Sequence, residues 1–117
     1  MLAAGCAPLY DWDSLAWDCE PAFVGFAAAN LYLQDSALAP SPEEIEEFVQ
    51  EFEAARLGRF SSAERRAISA AATYQMAALA RLEVEELQRP PNRRRDFLCH
   101  GRMTSALRRY GTRYLEY

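Results

Sequence analysis

The chain has 117 residues, half of them hydrophobic and about a quarter charged, with a net charge of −4. That length suits one compact domain around a single core, and the proportions exclude a disordered or membrane-embedded chain. No apolar run reaches the ~20 residues of a bilayer span, and Leu2-Ala3-Ala4-Gly5-Cys6 lacks the basic and apolar stretches of a secretory leader, so a cytoplasmic location is expected.

Residues 1–20 read as an extended arm. The only strand candidate is the run 7–12, too short to build a sheet with anything else in the chain, although two chains could pair such strands. Its end carries Asp11 and Asp13 in Leu9-Tyr10-Asp11-Trp12-Asp13. On an extended segment these carboxylates share one face about 7 Å apart at the backbone, close enough for one hydrated Mg²⁺ to touch both. The other reading is a turn whose solvated carboxylates cap the following segment. Asp18 and Glu20 extend the acidic cluster, but residues 15, 16 and 22 exclude an EF-hand loop.

After residue 20 the apolar spacing turns helical, giving an expected all-α bundle of about four helices over 21–117 behind the short arm. Pro21 suits a helix start. Phe23, Phe26, Ala27, Ala29, Asn30 and Leu33 follow with almost no charge, so a central helix buried on most sides is expected, with a short connection at 35–41. Ser41-Pro42-Glu43-Glu44 supplies an N-cap, a proline at the first helical position and an early carboxylate for the free amides. Ile45, Phe48, Val49 and Phe52 then line one face, with Glu43, Glu46, Glu47, Gln50 and Glu53 on the other and Gly58 as the stop. Ser61 to Glu64 repeats the capping pattern and opens a long helix to Arg89, with Ile68, Ala72, Met76, Leu79 and Leu87 facing inward. Its many alanines allow a neighbouring helix to approach closely. Pro90-Pro91 ends it. Phe97, His100, Met103, Leu107, Tyr110 and Tyr114 recur every three or four residues, predicting one amphipathic last helix with His100 packed on its apolar stripe.

The stretch from Leu9 through Trp17-Asp18-Cys19-Glu20-Pro21 to Ala29 resembles the C-terminal part of the aminoglycoside phosphotransferase-like kinases, covering roughly residues 9–88 and fading after the first 30. In that family an apolar strand delivers an Asp-Trp or Asp-Phe pair whose Asp binds Mg²⁺ on ATP, and an acidic-Pro step leads into the substrate lobe. The resemblance implies that Asp11 is the metal ligand, Asp13 an outer ligand, and Asp18 and Glu20 part of a substrate-side acidic cluster. The family's Gly-rich nucleotide lobe, phosphate-holding Lys and His-Gly-Asp loop are missing from these residues. There is no Lys, and the only His stands in His100-Gly101-Arg102, without the catalytic Asp. Mg²⁺ and ATP are therefore expected only if that lobe is supplied, and the chain is not expected to catalyse phosphoryl transfer alone. The Asp-x-Asp start is also faintly similar to the haloacid-dehalogenase phosphatases, but the α/β domain they need is missing.

Charge is polarised. Residues 1–57 hold one Arg against eleven acidic residues, net −10, and residues 58–117 hold twelve Arg against six, net +6. Such halves attract each other within a monomer or between chains. Arg93, Arg94, Arg95, Arg102 and Arg109 are candidate contacts for an anion or a partner, and pairing with the acidic second helix is favoured over nucleic acid. Three widely spaced cysteines suggest neither a disulfide framework nor a zinc site. Two functions stay open: the helical portion of a small-molecule kinase, or a non-catalytic module that binds a partner protein or a second copy of itself as a dimer.

Overall fold

The computed structural model describes residues 6–8, 17–30 and 39–116, with side chains described from Glu20 onward within these segments except Phe97. The architecture is an all-α bundle. Among the described residues it comprises α1 (Glu20–Asn30), α2 (Pro42–Arg56), α3 (Ser62–Leu87) and α4 (Arg102–Tyr110), preceded by two three-residue strands, β1 (Cys6–Pro8) and β2 (Trp17–Cys19). The strands pair antiparallel, Cys6 opposite Cys19 and Pro8 opposite Trp17. This corrects the expectation that the strand candidate lacks a partner within the chain. The second strand is too short to carry a readable alternation.

Both capping boxes form as the sequence predicts. The Glu44 amide donates to Ser41 Oγ at 3.1 Å while the Ser41 amide donates to Glu44 Oε1 at 3.0 Å. Ser61 and Glu64 repeat the exchange at 2.9 and 3.1 Å. Each cap stabilises its helix by about 1 kcal/mol. At the end of α2 the chain turns through Leu57, in left-handed conformation at φ 59°, one residue before the glycine expected to stop the helix.

The long helix α3 is the spine. Ile68, Ala72, Met76 and Leu79 are buried in it, against Val24, Ala28 and Ala29 of α1, Ile45 and Val49 of α2, and Met103 and Ala106 of α4. Leu87, expected inside, is 51% exposed, because the chain leaves the bundle there. Where burial on most sides is expected, α1 buries one face, with Phe23 exposed and Val24, Gly25, Ala28 and Ala29 buried. Small residues explain the choice of face. A Cβ on Gly25 would stand 2.4 Å from the Ile68 carbonyl oxygen and 2.8 Å from the Ala71 Cβ, so the two backbones meet closely only along the Gly25 stripe. Leu33 and residues 35–38 lie outside the described residues.

The predicted single last helix is broken. A short 3₁₀ turn (Asp96–Leu98) leads to Gly101 at φ 62°, where α4 begins, and Gly111 at φ 55° ends it before a second 3₁₀ turn (Gly111–Leu115). Both glycines occupy the left-handed half of backbone space, which their type allows and which interrupts a helix. Met103, Ala106 and Tyr114 still reach the core.

Candidate functional site

Two regions carry the side chains singled out by sequence. The first lies at the start of α1. β1 pairs with β2 immediately before α1. Asp11 and Asp13 fall between the two strands in the sequence and lie outside the described residues, as does the side chain of Asp18. Glu20 opens α1 and pairs with Arg56 at 2.7 Å, both groups about one-third exposed. It thus ties the end of α2 to the start of α1. Among the described residues no group of three or more His, Cys, Asp or Glu side chains is placed to hold a metal ion.

The second region is the arginine-rich C-terminal segment, and its organisation comes from two buried glutamates of α3. The Glu86 side chain is 1% exposed. It accepts from the Arg95 amide at 2.8 Å, and its Oε2 accepts Arg95 Nε and a terminal nitrogen at 3.0 and 2.8 Å, with Arg89 at 3.5 Å from Oε1. The Arg95 fork, then its backbone amide, hold the Glu86 carboxyl down to about 2 against the opposing effect of burial. One turn earlier, Glu83 accepts the Met103 and Thr104 amides at 3.1 and 2.9 Å and the Thr104 hydroxyl at 2.9 Å. Gly101, the N-cap of α4, has no side chain to offer, so a carboxylate from another helix satisfies those amides. Arg94 donates to the Leu87 and Arg89 carbonyls at 2.8 and 2.9 Å.

These contacts revise the arginine reading. Arg95 pairs with α3, rather than with the acidic second helix. Arg109 stacks over Tyr110, 5.3 Å from the ring centre, beside Arg113 at 5.5 Å. Arg113 does reach α2, pairing with Glu43. Arg93 is exposed and Arg102 half-buried at the first turn of α4. His100 is half exposed in the turn before α4, 3.6 Å from Asp96, instead of packed in the core, because Gly101 turns the chain there.

A third feature, an open hollow of about 940 Å³, lies at the α2–α3 corner beside Gln50, Glu53, Leu57, Phe60 and Arg65. Of its charged groups, Glu53 and Arg65 are already engaged, while Arg59 lies exposed beside them. Glu53, expected on the outer face, is buried and accepts the Phe60 amide at 2.7 Å and Arg65 at 2.5 Å, while Arg65 also grips both oxygens of Glu46 at 2.6 and 2.7 Å. Burial works to raise the Glu53 pKa, yet the Phe60 amide and Arg65 leave it lowered. The arrangement is a structural clamp between α2 and α3. Sequence reasoning missed Glu53, Glu83 and Glu86 because a buried, partnered carboxylate looks the same in a helix pattern as a solvated one. No family model, curated protein or solved structure matches this chain.

Proposed function

We propose that these residues form the C-terminal helical portion of an aminoglycoside phosphotransferase-like small-molecule kinase, catalytically silent without a nucleotide lobe and its catalytic loop. The observation that carries this reading is the order of elements around Asp11 and Asp13. The segment holding both is bracketed by β1 and β2, and the acidic-Pro step Glu20-Pro21 opens a helix buried on one face by the spine of the bundle. In this reading Asp11 is the Mg²⁺ ligand, with Asp13 as an outer one, and phosphates of a nucleotide held by the other lobe complete the coordination. A titration of the chain with Mg²⁺, then Mg²⁺ plus ATP, followed by amide NMR, tests it. Localised shifts at residues 9–20 that vanish in Asp11→Asn are the expected result, and silence at millimolar ligand counts against the reading.

A second reading, a non-catalytic helical module for self-association or partner binding, is favoured by a separate observation. The face of α3 turned away from the core keeps Tyr74 69% and Val84 52% exposed, with the exposed Ala63, Ala67, Ala70 and Ala77 on the same side making an apolar strip that a partner could cover.

A further inference from the structure

From the exposed side of α3 we infer that the chain self-associates through an antiparallel pairing of this helix with the same helix of a second copy. The inference stands apart from the kinase reading. Positions 63, 67, 70, 74, 77, 81, 84 and 88 are all exposed and recur at alternating steps of four and three residues. That is the 3.5-residue period of a seam between two helices. The buried positions Ile68, Ala72, Met76 and Leu79 lie on the opposite side and already serve the bundle, so α3 is apolar on two faces, and only one of them is covered.

The seam is graded in size. Its N-terminal part is Ala63, Ala67 and Ala70, and its C-terminal part is Arg81, Val84 and Gln88. A parallel pairing would set alanine against alanine at one end and Arg81 against Arg81 at the other, leaving a gap and a like-charge contact. Antiparallel pairing about a two-fold axis near Gln75 and Met76 sets every large residue on an alanine: Val84 on Ala67, Arg81 on Ala70, Gln88 on Ala63 and Tyr74 on Ala77 of the second copy. Such self-complementarity is what a two-fold interface requires. An open hollow of about 540 Å³ along Tyr74, Ala77, Ala78, Arg81 and Leu82 lies on this face and leaves room for a facing side chain. Arg81 comes within one turn of the second copy's Tyr74, whose ring face attracts a guanidinium, while its Nε engages Glu85 of its own helix at 3.2 Å.

The 26-residue helix spans about 39 Å. With a contact strip roughly 10 Å wide it buries on the order of 400 Å² per copy, about half of what a stable dimer takes. The association is accordingly expected to be weak and transient.

Sedimentation equilibrium of the full chain between 10 µM and 1 mM, with circular dichroism to check that each variant stays helical, tests the inference. The wild type is expected to dimerise reversibly. Ala77→Glu, opposite the apolar Tyr74 ring, is expected to abolish the dimer. Ala70→Glu, opposite Arg81 of the second copy, should tighten it about threefold at low salt, with the gain lost in 1 M NaCl. Monomer throughout for both wild type and Ala70→Glu overturns the inference, as does a dimer indifferent to Ala77→Glu. A dimer weakened by Ala70→Glu overturns the antiparallel arrangement.

Discussion

Gly25 shows how one residue sets the distance between two helices. Its neighbours across the interface are backbone atoms, the Ile68 carbonyl oxygen at 2.4 Å and the Ala72 nitrogen at 2.9 Å from an added Cβ. These cannot swing aside as a flexible side chain would. Alanine is the better helix former by about 1 kcal/mol, so propensity alone predicts that Gly25→Ala stabilises. Overpacking against fixed backbone costs about 1–3 kcal/mol, more when helices must separate, and should win. Gly25→Ala is therefore expected to lower stability by about 1–2 kcal/mol in urea denaturation, with the four-helix content kept in circular dichroism. A variant as stable as the wild type would mean that α1 and α3 can separate at little cost. In sequence Gly25 is simply one small residue in an apolar run. Its role depends on Ala71 and Ala72, which the chain supplies more than forty positions later, and this is why the inner face of α1 was not legible from periodicity.

At the scale of elements, the C-terminal third is held by what α3 buries rather than by its own helical propensity. Glu86 binds the Arg95 amide and guanidinium, and Glu83 caps α4. The sign of the pH dependence follows. The folded pKa of Glu86 lies at about 2, below its ordinary 4.5, so its stabilising contribution is complete above about pH 4.5 and is lost as pH falls from there toward 2. Glu53 is shifted in the same direction and adds to the acid limb. Acid titration followed by hydrogen exchange should show residues 91–98 losing protection before the α1–α3 contact. Glu86→Gln should remove that early step and loosen the same segment already at neutral pH. Simultaneous loss of protection everywhere would show that the segment has no separate stability. The helix starts at Ser41 and Ser61 were legible because their partners lie three residues away. The breaks around α4 were not, since a run of apolar residues every three or four positions reads as one helix until the backbone of Gly101 and Gly111 is known.

Across the whole molecule, the division into an acidic first half and a basic second half translates into contacts that tie the halves together: Glu46 and Glu53 to Arg65, Glu43 to Arg113. That attraction was legible from charge counting, whereas the internal Glu86–Arg95 pair and the apolar outer seam of α3 depend on which face the fold turns inward. Among the described residues the farthest-reaching side-chain tie is neutral. Tyr114, 2% exposed, donates its hydroxyl to the Pro40 carbonyl at 2.6 Å, joining positions 74 residues apart and closing the C-terminus over the segment that leads into α2. Tyr110 packs edge-on against its ring at 5.7 Å. Burial, with Tyr110 and the carboxylates of Glu43 and Glu44 nearby, raises the Tyr114 pKa above its ordinary 10. The neutral phenol is thus favoured in the folded state, and its contribution is complete below about pH 10 and lost as pH climbs beyond it. Tyr114→Phe keeps the ring and removes the hydroxyl, leaving the Pro40 carbonyl without this donor, at a cost of about 1–2 kcal/mol near neutral pH. Thermal unfolding from pH 7 to 11 should show the wild type losing its advantage over Tyr114→Phe above pH 10. No difference between the two at any pH in that range would mean that the hydroxyl gives no net closure, and that the ring alone holds the C-terminus in place.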